Sequence, residues 1–190
     1  MVKFSSAVVA TALCSLSIGA LGPGAAQASI QVYGKTLAAS CSSSAFAGRS
    51  DVVSLNECNT ALAEEAMPDR DLAATHVNRG IILMRRGLLD AALQDFEAAA
   101  KIQPTMGEVY ANRGSALVAQ DRMTEAVADF DRALQLGVVQ PERTYYNRGV
   151  AREWMNDTRG AYLDYRRAAQ INPKWPDPQE QMVRFTIVRR

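Results

Sequence analysis

Residues 77–104 read VNRGIILMRRGLLDAALQDFEAAAKIQP, and the same frame returns twice further along the chain. Asn78-Arg79-Gly80 recurs as Asn112-Arg113-Gly114 and as Asn147-Arg148-Gly149, a period of 34 and then 35 residues. Sixteen residues after each Arg stands an Asp followed by an aromatic ring: Asp95-Phe96, Asp129-Phe130 and Asp164-Tyr165. A fixed period of this length is the signature of stacked repeats, which bury their core between neighbouring units and leave an extended concave face free. That architecture suggests binding rather than chemistry.

Within one unit the apolar residues follow helical spacing, at Leu72, Ala73, Val77, Ile81 and Met84, then at Leu89, Ala92, Leu93, Phe96, Ala99 and Ala100. Gly87, Asp121 and Asn156 fall between the two runs and are residue types that tolerate left-handed backbone angles at a helix end. Each unit is therefore predicted to be a helical hairpin. Arg79 and Asp95 stand eight positions either side of Gly87, as do Arg113 and Asp129 around Asp121, and Arg148 and Asp164 around Asn156. Equal offsets put residues at one height on facing antiparallel helices, which predicts a salt bridge inside each repeat. A second reading, in which the arginines line a groove and bind an anion, stays open.

Aligned on Gly80, Gly114 and Gly149, the units share alanine at Ala92, Ala126 and Ala161, an aromatic at Phe96, Phe130 and Tyr165, and alanine again at Ala99, Ala133 and Ala168. With closing prolines at Pro104 and Pro173, the pattern resembles the tetratricopeptide repeat over residues 73 to 173. The resemblance implies an all-α fold, an α-α superhelix of about three helical hairpins (73–106, 107–141 and 142–175) within the repeat region 71–173. The Arg and Asp of each unit replace residues that are apolar in the typical family member, a paired departure that fits a structural salt bridge.

By the same resemblance the first helix of each repeat lines a concave partner-binding groove. The lining would be Val77, Asn78, Ile81, Met84 and Arg85, then Ala111, Asn112, Ser115, Val118 and Ala119, then Arg143, Tyr146, Asn147, Val150, Glu153 and Trp154. Asn78, Asn112 and Asn147 stand where such domains present an asparagine to a peptide backbone, although bridging neighbouring helices would occupy them equally well. Lysines that clamp a C-terminal carboxylate in some members are replaced here by Val77, Ala111 and Tyr146. Tyr146 and Trp154 form either an aromatic anchor or part of the packing against a C-terminal cap, and Trp175 is expected to pack there.

Ahead of the repeats, Lys3 is followed by an apolar stretch from Phe4 to Leu21 and by Ala26-Gln27-Ala28. This reads as a secretory signal peptide, residues 1–28, cut after Ala28. An uncleaved membrane anchor is the alternative, disfavoured by the serines, threonine and glycines of the run. Cys14 follows Leu13 rather than a small residue, unlike a lipoprotein signal. The expected destination is the periplasm or beyond. Of 21 Lys+Arg and 20 Asp+Glu only Lys3 is lost with the leader, so the remaining chain is neutral and unlike a nucleic-acid or anionic-membrane binder.

Residues 29–70 are expected to form an N-terminal cap. Asp51 to Leu62 reads as an amphipathic helix with Ser50 as N-cap, equivalent to the second helix of a degenerate half-repeat with Cys58 in the aromatic's place. Cys41 and Cys58, in an exported chain, are expected to pair. Residues 174–190, with Met182, Phe185, Ile187 and Val188, form the expected C-terminal cap.

One histidine, His76, with no nucleophile motif or phosphate-cradling loop, argues against an enzyme, and no cofactor or metal site is expected. His76 is expected to pack against the neighbouring helix. The function implied is a scaffold that binds a protein or peptide in the bacterial cell envelope. Self-association as a structural element is the alternative, and a glycan or small-molecule binder at the aromatic end of the groove a weaker one.

Overall fold

The computed structural model describes residues 2–4, 30, 32, 34, 36–185 and 187–189. The expected leader lies outside the described residues except at 2–4. Nine helices follow one another among the described residues: α1 (Leu37–Phe46), α2 (Val52–Glu64), α3 (Asp69–Arg85), α4 (Leu89–Ile102), α5 (Gly107–Ala119), α6 (Met123–Leu136), α7 (Pro141–Trp154), α8 (Thr158–Ile171) and α9 (Asp177–Met182). They pair as hairpins α1–α2, α3–α4, α5–α6 and α7–α8, each packed on the next, with α9 closing the row against α8. A three-residue strand β1 (Val2–Phe4) pairs antiparallel with β2 (Ile187–Arg189). Cleavage after Ala28 would remove β1.

The turn inside each repeat forms for the reason its residue type suggests. Gly87, Asp121 and Asn156 all adopt left-handed φ, at 76°, 58° and 61°. The amides of Leu88, Arg122 and Asp157 then reach back to the carbonyls of Leu83, Leu117 and Arg152, which satisfies groups the helix end would otherwise orphan. Across the hairpin, Phe96, Phe130 and Tyr165 are buried and lie on the backbone of Gly80, Gly114 and Gly149. A Cβ at Gly80 would stand 2.6 Å from Phe96, and at Gly114 2.8 Å from Phe130. The small residue is what lets the ring sit between the helices.

Each Arg meets its Asp across the hairpin in a two-pronged contact. Arg79 Nε and Nη2 reach Asp95 at 2.8 and 2.7 Å, Arg113 reaches Asp129 at 2.7 and 2.7 Å, and Arg148 reaches Asp164 at 2.9 and 2.6 Å. The carboxylates are buried. Donating to the Asp129 carboxylate raises the Arg113 guanidinium above its ordinary value. In two repeats the remaining guanidinium nitrogen links hairpins: Arg79 donates to Asn59 on α2, and Arg148 to Asp131 on α6. Asn59 follows Cys58 as Asp131 follows Phe130, so the repeat register extends into the degenerate unit.

That unit is a complete hairpin rather than a half-repeat. α1, made largely of Ser and Ala, has little hydrophobic periodicity to announce it. It forms because Thr36 accepts from the Ala39 amide, the Glu65 carboxylate accepts from Leu37 and Ala38, and the Cys41–Cys58 disulfide ties it to α2. The cap of α2 is Asp51, whose Oδ1 accepts from Ser54 N at 2.8 Å, and not Ser50. This bond holds the Asp51 carboxyl below its usual range.

At the far end Phe185 packs on Tyr162 and Tyr165 at ring separations of 5.9 and 6.0 Å. Val183 is exposed. Ile187 and Val188, expected in the same cover, stand in β2, and their side chains are outside the described residues. Covering the last hairpin therefore rests on Phe185, with Pro178 buried in α9.

Arg113→Leu should destabilise the protein by roughly 3 kcal/mol in urea denaturation, because it strands a buried carboxylate, whereas Arg113→Leu with Asp129→Leu should fall within about 1 kcal/mol of wild type. Replacing Cys41 and Cys58 by Ser should cost roughly 3 kcal/mol by the loop-closure estimate, read as a lower urea midpoint for the variant than for the oxidised wild type, a difference that closes in reductant.

Candidate functional site

The concave face carries the first helices α3, α5 and α7, preceded by α1, and it divides into a closed part and an open part. Val77, Ile81 and Met84 are 0, 0 and 4% exposed and belong to the core. They do not line an open groove, which corrects the expectation for the first repeat. The physical reason is the cluster they share with Phe96 of α4 and with Val109 and Ala116 of α5, to which the Ile30 side chain adds, while α1 packs on the neighbouring Ile82. Arg85 is also drawn into this contact, donating to the Ala45 carbonyl on α1 at 2.6 Å, and burial lowers its guanidinium.

The asparagine row has three different fates. Asn78, fully buried, grips the backbone of Ile30: its Oδ1 accepts from the Ile30 amide at 3.0 Å and its Nδ2 donates to the Ile30 carbonyl at 2.7 Å. Asn112 donates to the Glu108 carbonyl one turn back in its own helix at 2.8 Å. Asn147 donates at 3.2 Å to the hydroxyl of Ser115, which itself donates to the Ala111 carbonyl, so Asn147 joins α7 to α5. Asn78 therefore holds the backbone of Ile30, a residue of this same chain.

In the second repeat Ala111, Asn112 and Ser115, expected to line the groove, are 3, 0 and 1% exposed, so the face opens only toward the ends of α5 and α7. Val118 on α5 and Val150 on α7 are partly exposed, and Trp154, one turn beyond Val150, is 56% exposed. Tyr146 is not free beside it. Its ring stacks at 5.4 Å on Tyr165 and 4.9 Å on Trp175, and Arg143 lies over the Trp175 ring at 5.6 Å. The two aromatics expected as one anchor are thus separated, Tyr146 into the C-terminal packing and Trp154 into solvent. Glu153 is held between them by the Tyr165 hydroxyl and Arg184, both at 2.9 Å. Burial, reinforced by the Glu153 carboxylate, raises the Tyr165 hydroxyl well above its ordinary value.

His76 lies in a cleft between α2, α3 and α4 that also holds Asn59, Arg79 and Asp95 beside Leu55 and Leu83. Its Nδ1 is 2.9 Å from Asp95 Oδ1, but both oxygens of that carboxylate already accept from Arg79. The acid is therefore the counter-ion of a guanidinium, an arrangement suited to holding α3 on α4. Among the described residues no cluster of His, Cys, Asp and Glu has the makings of a metal site, and no helix is long and apolar enough to cross a membrane.

Sequence reasoning missed Ile30, Ser42 and α1. The weak alternation after Ile30 hinted at an extended run, but nothing in it names Asn78, 48 residues away, as its partner.

The family model for the tetratricopeptide repeat matches residues 77–141. Over 85 residues the chain is 35% identical to the human mitochondrial import receptor subunit TOM70, covering 45% of this chain and 12% of that protein. It is 31% identical over 109 residues to the tetratricopeptide repeat protein 36 homolog of Drosophila pseudoobscura pseudoobscura, covering 55% of this chain and 57% of the relative. The chain thus spans a small part of the import receptor and little over half of the fly protein. Among solved structures, the crystal structure of MamA superposes with a TM-score of 0.64 at 20% identity, over 80% of this chain and 82% of that one. The first such domain of Spaghetti (RPAP3), bound to an HSP90 peptide, superposes with a TM-score of 0.57 at 21% identity, over 59% of this chain and 88% of that one. The repeat register, the glycine-seated rings and the hairpin row agree with that match: residues 77–141 carry the tetratricopeptide repeat pattern, and the chain has the helical-hairpin solenoid fold of these neighbours.

Proposed function

We propose that the protein is a non-catalytic binding module of the bacterial cell envelope that engages a protein or peptide through the open part of its concave face. The carrying observation is Trp154, exposed on α7 one turn after the partly exposed Val150, with Val118 partly exposed on α5. An exposed tryptophan with aliphatic neighbours is the composition of an interface hot spot rather than of a solvated surface. TOM70 is an import receptor subunit and the RPAP3 domain holds an HSP90 peptide, so relatives and neighbours with this fold meet polypeptides. Capture of an acidic C-terminus is not part of the reading, because Val77, Ala111 and Tyr146 offer no lysine.

Export rests on the leader-like stretch up to Ala28 and on the Cys41–Cys58 link, which suits an oxidising compartment. A second reading, end-to-end self-association, is favoured by Phe46, Val52 and Val53, which are 70, 59 and 68% exposed around the turn of the first hairpin. Mass measured against concentration separates the two.

Crosslinking in the envelope should capture a partner with the wild type, and Val118→Asp with Trp154→Ala should reduce that capture by about tenfold or more without lowering the melting temperature, since loss of a hot-spot side chain commonly costs 2 kcal/mol or more. Equal capture by both proteins would overturn the groove reading. N-terminal sequencing of the exported product should begin at Ser29.

A further inference from the structure

The contact between Ile30 and Asn78 has the form of a ligand in a site. One side-chain amide satisfies both the N–H and the C=O of a single residue, at 3.0 and 2.7 Å, which is how an extended backbone is read without regard to sequence. Ser42 on α1 completes the pattern. Its hydroxyl donates to the Ile30 carbonyl at 2.8 Å and accepts from the Val32 amide at 3.2 Å. The groups of residues i and i+2 share one edge of an extended chain, so Ser42 and Asn78, both donating to the Ile30 carbonyl, together hold one edge of the backbone at Ile30 and Val32, laid between α1 and α3.

The Ile30 side chain enters the apolar cluster of Val77 and Ile81, giving the site one sequence requirement, an aliphatic residue at that place. Gly34, at φ 127°, stands between this run and α1, a backbone angle that L side chains rarely adopt, so the chain can double back over the helix it precedes.

We propose that the groove between α1 and α3 is a peptide-binding subsite filled in the resting protein by the protein's own N-terminal segment, and that an extended polypeptide with an aliphatic residue enters it by displacing that segment. This rests on the groove-binding function proposed above and names its missing first-repeat portion. On the expected cleavage after Ala28, Ile30 is the second residue of the chain, so the occupant is a short free tail held at one end and released by losing the contacts just described. A site whose competent form is open one time in ten binds about tenfold more weakly than the open form itself. The segment thus sets a threshold that a partner must exceed.

The test uses the exported chain starting at Ser29 and, as probe, a fluorescent heptapeptide with the sequence of residues 29–35, Ser-Ile-Gln-Val-Tyr-Gly-Lys. Ile30→Asp should expel the tail, and the variant should bind the probe about tenfold or more tighter than wild type in fluorescence anisotropy. Adding Asn78→Leu should abolish that gain, and a scrambled probe should not bind. Equal binding by wild type and Ile30→Asp, or binding that survives Asn78→Leu, would overturn the proposal. Hydrogen exchange on the unaltered protein keeps the question decidable should a variant misfold. The Ile30 amide should exchange slowly and should speed up in Ser42→Ala, whereas exchange of Ile30 at the rate of a free peptide in the unaltered protein would also overturn it. Because partner capture through Val118 and Trp154 is measured separately, a failure of the self-peptide leaves the open groove standing, and a failure of capture leaves the self-peptide result intact.

Discussion

The close approach of two helices at a glycine is the constraint on which the solenoid depends. Phe96, Phe130 and Tyr165 can lie between the helices of their hairpins only because Gly80, Gly114 and Gly149 present backbone where any side chain would collide. The buried ring fixes how near the helices stand, and that spacing brings the arginine eight residues before the turn level with the aspartate eight residues after it. The ion pair then has little choice of geometry. Both prongs of the guanidinium are used on one carboxylate, and in the first and third repeats the remaining nitrogen reaches the preceding hairpin. One small residue thus governs packing within a unit, and through the arginine, the joint between units.

Such buried pairs add less net stability than their short distances suggest, since removing two charges from water consumes most of their attraction. Their contribution is better described as register. An arginine that must find its aspartate across the hairpin and a carboxamide or carboxylate on the previous one tolerates few sliding alternatives. To the shape fit of ring on glycine this chain adds a charge-coded check three times over.

The two ends of the solenoid solve the same problem by different chemistry. At the C-terminal end aromatic rings from α7, α8 and the segment after α9 cover the last hairpin. At the N-terminal end a serine- and alanine-rich helix is too small and polar to hold itself in place by apolar area, and a disulfide, a carboxylate on its first amides and the Ile30 segment do so instead. The asymmetry has a functional side. The aromatic cap leaves Trp154 outside and exposed, whereas the polar cap brings a strip of backbone into the groove of the first repeat.

The repeat fold, the turn residues and the placing of Arg opposite Asp were legible in the chain because they are local and periodic: offsets along one helix or across one tight turn translate directly into contacts. The candidate site was legible only as a register. Asn78, Asn112 and Asn147 occupy equivalent places, yet one holds Ile30, one its own helix and one a neighbouring serine. What decides among them is which helix or segment lies across the groove, and α1 carries no amphipathic stripe from which its presence could be inferred. Tyr146 and Trp154 differ for the same reason, since Trp175 arrives from beyond α8 and packs on the Tyr146 ring while Trp154 stays exposed. Periodic pattern determined the scaffold by itself. The opening and closing of its groove was decided by long-range contacts of non-repeating segments, whose partners lie dozens of residues away and leave no periodic trace.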